Sequence, residues 1–233
     1  MMKIAIMQPY LFPYLGYWQM ISAVDIFVLF EDVNFIKRGW INRNNILLNG
    51  KAHLFTLPLT EATQNKFINE ISITHDNKEK HNLLKTIENA YKKAPYFSDI
   101  FPLISNILTY ERHNLAHFLL HHFEIIFAYL DIKTKLLYSS MIEKDNTLKA
   151  QDKIIDICHR MNATHYLNAI GGQNLYDKIC FEQEHITLNF IKMRSIRYPQ
   201  FKNEFVPYLS IIDVLMFNNR ESVKQMLTEY DLV

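Results

Sequence analysis

The sequence predicts an α/β fold on a parallel sheet, with a mainly helical block set into the middle of the chain. Three observations carry this. KIAIM (3–7), the stretch 14–23 and DIFVLFEDV (25–33) read as strand, helix and strand in quick succession. A strand–helix–strand unit joins parallel neighbours by a right-handed crossover. Strand and helix patterns alternate again from 135 to 193, while the region 77–130 carries helical periodicity alone.

The elements follow in order. KIAIM is a short apolar run that ends at Gln8-Pro9, as a buried strand does. Tyr14 to Ala23 fits one amphipathic helix, and 25–33 is a second buried strand ending in acids. NILLNGKAHLFTLPL (45–59) has Asn49-Gly50 between apolar runs, the strongest local hairpin signal. EISIT (70–74) is a further strand. Helices are expected at 77–93, 99–110 and 113–130, with Pro95 and Pro102 marking breaks. KLLYSS (135–140) is a strand, 152–163 a helix with Ile154, Ile157 and Cys158 on its apolar face, and THYLNA (164–169) a strand. Gly171-Gly172 opens the next turn and helix. HITLNFIKM (185–193) is the last strand, and 211–218 and 221–230 close the chain as helices.

The 233 residues suit a single α/β domain over 1–233, with 49% hydrophobic and 13% aromatic residues to build its core. The formal net charge of +1 gives no broad basic field, so no nucleic-acid partner is expected. Cys158 and Cys180 form no C-x-x-C motif, which points to a reducing compartment. Lys3, Gln8 and two early prolines do not resemble a signal peptide, and no stretch reaches about 18 uncharged apolar residues. A cytoplasmic protein without a membrane span is expected.

Candidate site residues collect where strands end, the place where ligands bind in open α/β sheets. QPYLFPYLGYW (8–18) places Gln8, Tyr10, Gly16 and Tyr17 between the first strand and helix. Gln8 at the end of a buried strand needs a partner or a ligand. EDVNFIKRGWINRNN (31–45) places Asp32, Lys37, Arg38, Trp40, Asn42 and Arg43 after the second strand. Carboxylates there can orient an amine or hold Mg²⁺ through water, and Lys or Arg can pair with phosphate or carboxylate. Ser139 and Ser140, with Lys144 and Lys149 nearby, can touch phosphate or cap a helix. Gly171 and Gly172, two of only five glycines, allow close backbone approach. His113, His117 and His121 share a helical stripe, but H-E-x-x-H is absent and no metal site is assigned. Asp213 lies on an otherwise apolar helix and needs a partner.

These blocks resemble the WbqC-like protein family. The matching pieces are QPYLFPYLGYW, DIFVLFEDVNFIKRGWINRN, NAYKKAPYF (89–97), YSS, IIDICHRMNATHYLNAIGG and YPQFKNEFVPYLSIIDVL, in order along nearly the whole chain. One departure is Asn168-Ala169-Ile170-Gly171-Gly172, where the family often has an S-G-x-G turn. The resemblance implies a setting in bacterial surface-polysaccharide (O-antigen) biosynthesis and a transferase that moves an amino acid, such as glycine, to a sugar. The start of the chain also resembles nucleotidyltransferase-like, Rossmann-like folds, whose first loop carries Gly-His near ATP phosphates; here Tyr17 replaces the histidine. In that case YSSMIEK is the second phosphate loop, and ATP with Mg²⁺ is the cofactor that would adenylate a carboxylate.

Together these imply an acyl or aminoacyl transferase, or an ATP-dependent amide ligase, acting on the amine of a nucleotide-linked amino sugar. Gln8, Tyr10, Gly16 and Tyr17 then form the donor pocket. Lys37 and Arg38 hold phosphate or carboxylate, Asn42 and Arg43 hold the acceptor, and Asp32 orients or deprotonates the amine. The alternatives are a non-catalytic sugar-nucleotide binding protein and a nucleotidyltransferase that makes a nucleotide sugar. The aromatic content is compatible with a homodimer without requiring one.

Overall fold

The computed structural model describes Met1 to Val233 apart from His75, Asn203 and the side chain of Asn77. The chain opens with β1 (Lys3–Met7), α1 (Leu15–Ser22) and β2 (Ile26–Leu29). The β3 (Arg43–Leu48) and β4 (Lys51–Thr56) hairpin turns at Asn49 and Gly50, both at positive φ (52° and 74°), as a tight hairpin turn requires. The strand expected at 70–74 shrinks to β6 (Ser72–Ile73), which pairs with the equally short β5 (Leu59–Thr60).

Three helices follow: α2 (Asn77–Tyr91), α3 (Phe97–Thr109) and α4 (Leu115–Leu130). Pro102 lies inside α3 instead of ending it. A proline there removes one backbone hydrogen bond, and the buried Ile100, Ile104, Ile107 and Leu108 keep the helix continuous. The chain then runs through β7 (Lys135–Tyr138), α5 (Ala150–Arg160), β8 (His165–Ala169), α6 (Lys178–Gln183), β9 (Thr187–Met193), α7 (Ile211–Phe217) and α8 (Arg220–Met226). The strand at 187–193 is not the last. β10 (Tyr230–Leu232) returns antiparallel to β9, starting at Tyr230, where the last helix was expected to end.

The main sheet has the order β10-β9-β8-β1-β2-β7, with all pairings parallel except β10 to β9. Alternation sorts its side chains between two cores. Ile4, Ile6, Ile26 and Val28 meet Ile154, Ile157, Cys158 and Phe181 on one face. Ala5, Phe27 and Leu29 meet Trp18, Phe123, Ile126 and Leu215 on the other.

The first helix is not amphipathic: every residue of α1 from Leu15 to Ile21 is buried. Even Gln19 is enclosed, its amide donating to the carbonyls of Met226 (2.7 Å) and Glu229 (3.0 Å). Among the described residues no helix is long and apolar enough to cross a membrane.

Candidate functional site

Because β1, β2, β7, β8 and β9 run parallel, their carboxyl ends share one edge. Gln8, Asp32, Ser139, Gly171 and Arg194 therefore follow strands on the same side of the sheet. The order reverses at β1, which has β2 on one side and β8 on the other. Crevices at such switch points are where open α/β sheets bind ligands.

The loop after β1 is held by residues distant in sequence. The Asn44 amide donates to the carbonyls of Leu11 (3.0 Å) and Phe12 (2.9 Å), which pins Phe12 at φ 43°. The Leu11 N–H donates to the Trp40 carbonyl at 3.0 Å. Gln8 is partly buried, and its side-chain amide makes no hydrogen bond to described residues. Tyr17 turns into the core. Its ring is buried against Tyr10, Phe27 and Phe123, and its hydroxyl donates to the Gln8 carbonyl at 2.7 Å. Burial pushes the Tyr17 phenol pKa well above its ordinary value.

Gly16 answers to Tyr14. A Cβ at Gly16 would sit 2.6 Å from the Tyr14 ring. Gly16→Ala gains helix propensity but displaces that ring. We expect unfolding free energy to change by about 1 kcal/mol or less, with Tyr14 moved in a crystal structure of the variant. A loss of several kcal/mol would mean that the backbone, not the ring, gives way.

The acids after β2 divide their work. Glu31 is 1% exposed, and its carboxylate accepts the backbone N–H groups of Ser139 (2.9 Å) and Ser140 (3.1 Å). Asp32 Oδ2 lies 2.6 Å from Nζ of Lys144, whose side chain is 2% exposed and also donates to the Ser139 carbonyl. Asp32 Oδ1, Ser139 Oγ and the Tyr138 hydroxyl are buried without a hydrogen-bond partner among the described residues. Burial, aided by Glu31 and Glu124, pushes the Tyr138 phenol pKa well up. Buried polar atoms rarely go unpaired, so each of the three has hydrogen-bonding capacity to spare near a strand end.

The other predicted residues separate. Lys37 and Arg38 are exposed on a turn, with Arg38 at φ 61°. Asn42 exchanges hydrogen bonds with Leu57, through its side chain (2.9 Å) and its carbonyl (2.7 Å). Arg43 donates to the carbonyls of Gly39 and Arg38. Both therefore shape the loop. Gly171 faces open space, whereas a Cβ on Gly172 would meet Asn168 Oδ1 at 3.0 Å. Trp40, 44% exposed, lines a hollow of about 260 Å³ with Tyr10, Pro13, Tyr14, Asn44 and Tyr208. Tyr10 and Trp40 thus share a wall that Tyr17 does not reach.

No group of His, Cys, Asp or Glu that could hold a metal ion occurs among the described residues, and the histidine stripe makes ring contacts instead. His121 stacks on Tyr110 at 3.8 Å, and His117 lies 5.8 Å from the Tyr138 ring. Sequence reasoning passed over three residues that matter here. The sequence suggests a phosphate contact for Lys144, and the fold makes it the partner of Asp32. Glu31 was not separated from its neighbouring acid. Tyr138 belongs to a strand in the sequence pattern, and only its place next to Ser139 signals more.

A model of the WbqC-like protein family matches residues 8–225. The chain belongs to the WbqC-like protein family. It is 28% identical over 221 residues to the "Uncharacterized protein Rv1507c" of Mycobacterium tuberculosis, with 94% of each chain covered. No solved structure matches. The WbqC-like match spans all the strand ends that form the edge, from Gln8 to Arg194.

Proposed function

We propose that this WbqC-like protein is a transferase that acylates the amine of a nucleotide-linked amino sugar, with glycine as one candidate acyl group. The family's link to polysaccharide biosynthesis supports the setting. The observation that carries the chemistry is Asp32 Oδ1, a buried acceptor without a partner beside the enclosed Lys144 ammonium. A substrate amine supplies the missing donor. As the amine nitrogen attacks the acyl carbonyl, the N–C bond forms and its proton passes to Asp32 Oδ1. The bond to the leaving group breaks, and that group departs with the electron pair. The free hydroxyls of Ser139 and Tyr138 supply donors for the oxyanion that develops.

The parallel order, read from β7 as 3-2-1-4-5 among the parallel strands, supports a Rossmann-like reading of the sheet. The residues do not fit the phosphates of ATP. Tyr17, at the position of the first-loop histidine, is enclosed, and the Ser139 and Ser140 N–H groups already serve Glu31. A Mg²⁺ at Asp32 would lie against the Lys144 ammonium. The donor in this reading arrives already activated, for example as a thioester.

The test is a mass-spectrometric search for N-acylated product with UDP- and dTDP-linked amino sugars and acyl-thioester donors. Asp32→Asn is expected to lower turnover by about 100-fold or more while nucleotide-sugar binding is kept. The double variant Asp32→Asn, Lys144→Met removes both buried charges and guards against misfolding. Unchanged turnover in either folded variant removes Asp32 from the mechanism. Tight binding with no turnover in the parent protein points instead to a binding protein.

A further inference from the structure

A second hollow, of about 370 Å³, lies between the start of α1 and the segment after β9. Its lining includes Arg194, Ser195, Arg197 and Tyr198, and it shares Tyr14 and Tyr208 with the hollow at Trp40. The two chambers are therefore neighbours, divided by the Tyr14–Tyr208 pair, whose rings meet edge-on at 6.2 Å.

The chambers differ in chemistry. The Trp40 chamber is aromatic, with Tyr10, Tyr14, Trp40 and Tyr208 around it. The second brings two guanidinium groups. Arg194 is engaged, donating to Asp231 at 2.7 and 2.9 Å. Arg197 has no ion pair or hydrogen bond among the described residues.

The dividing wall is built rather than loose. Tyr208 is 70% exposed yet held at φ 57°, a backbone state that a bulky residue seldom adopts. Tyr198 donates to the buried Asp213 at 2.7 Å, and Gln200 bonds both Asp213 (2.6 Å) and Val206 (2.7 and 3.1 Å). Tyr208, exposed and held at this backbone state, and Arg197, without a partner among the described residues, thus line the same hollow.

We propose that these adjoining chambers bind a ring joined to a phosphate: the ring against Trp40, Tyr10 and Tyr208, the phosphate on Arg197 and Ser195. Aromatic faces take a flat base or the apolar face of a sugar, and arginine takes phosphate oxygens in a forked pair. Each chamber is at the small end of ligand sites, which run to about 300–1,000 Å³, so a ligand filling both has two parts. This deepens the reading above by placing the nucleotide-linked substrate, and it rests on that reading only for what reacts.

Trp40 reports occupancy directly, since the other tryptophan, Trp18, is fully buried. The probes are uridine diphosphate, glucose 1-phosphate and inorganic phosphate, titrated by tryptophan fluorescence and by calorimetry. We expect uridine diphosphate or glucose 1-phosphate to bind at least tenfold more tightly than phosphate. Arg197→Ala and Tyr208→Ala, both at exposed positions, should each weaken that binding at least tenfold. Trp40→Phe should silence the fluorescence change, and Asp32→Asn should leave binding intact. Binding lost in Arg197→Ala but kept in Asp32→Asn supports the site whether or not turnover is found. Failure of both ring-bearing probes to bind, equal binding by phosphate alone, or indifference to Arg197→Ala and Tyr208→Ala would overturn it.

Discussion

Replacing Asp213 by alanine is expected to cost about 3–5 kcal/mol of unfolding free energy, from three buried donors left unpaired at about 1–3 kcal/mol each. Asp213 is fully buried on α7, and three side chains converge on it. Tyr91 of α2 donates to Oδ1 at 2.8 Å, and Tyr198 and Gln200 donate to Oδ2 at 2.7 and 2.6 Å. Tyr91 in turn accepts the Leu47 N–H of β3 at 2.8 Å. One carboxylate thus ties together the helical block, the hairpin and the segment behind the second chamber. Burial raises the Asp213 pKa, against the pull of its three donors. Alanine strands those donors around a void, and leaving donors unpaired costs more than the bonds contributed. Asparagine keeps one acceptor oxygen and turns an NH₂ toward the other donors, so about 1–3 kcal/mol is expected. Urea unfolding measures both. An alanine variant within 1 kcal/mol of the parent would show that water or rearrangement satisfies the tyrosines.

Acid is expected to unfold this protein through His122. The ring is wholly enclosed by Phe12, Trp18 and Phe123, with centroids 4.5, 5.7 and 4.7 Å away. Neither nitrogen is in a well-formed hydrogen bond among the described residues. Burial pushes its pKa down to about 3, outweighing the help of the Leu119 carbonyl. The unfolded chain titrates near 6.5, so between these values it binds the extra proton and stability rises with pH. The full penalty below pH 3 is about 5 kcal/mol, and at pH 5 it is about 2 kcal/mol. His122→Leu should flatten the dependence between pH 6.5 and 3 and raise stability at pH 7 by about 1–2 kcal/mol. The check is chemical denaturation at stepped pH. A variant whose stability still falls as steeply would place the acid sensitivity elsewhere.

Local pattern made much of this molecule readable. Alternation and punctuation showed β1, α1 and β2, and Asn49-Gly50 showed the hairpin, because periodicity and turn chemistry are local properties. Asp213 announced a buried partner because an acid on an apolar helix face must have one. The pairing of Asp32 with Lys144 was hidden, since nothing local says which lysine the sheet will bring to which acid. Tyr17 illustrates a different limit. Aromatic residues in a strand-to-helix loop suggest a binding wall, but α1 is buried all round and takes the ring inside. Asn42 and Arg43 looked available because they are polar and follow a strand, yet polar side chains in loops commonly satisfy nearby backbone. β10 escaped because three residues after a helix carry too little alternation to read.

The most direct measurement is thermal unfolding in the presence of single ligands and pairs: UDP- and dTDP-linked amino sugars, acyl-CoA, glycine, and ATP with Mg²⁺. A ligand that binds only the folded protein adds about 2.7 kcal/mol at a hundred times its dissociation constant. For a chain of this length that is roughly a 5–10 °C rise in midpoint. A nucleotide-linked amino sugar should produce this rise alone, and ATP should not. A rise with ATP that grows on adding glycine, with none from any nucleotide sugar, would contradict the sugar-amine transferase and place carboxylate activation at this edge instead.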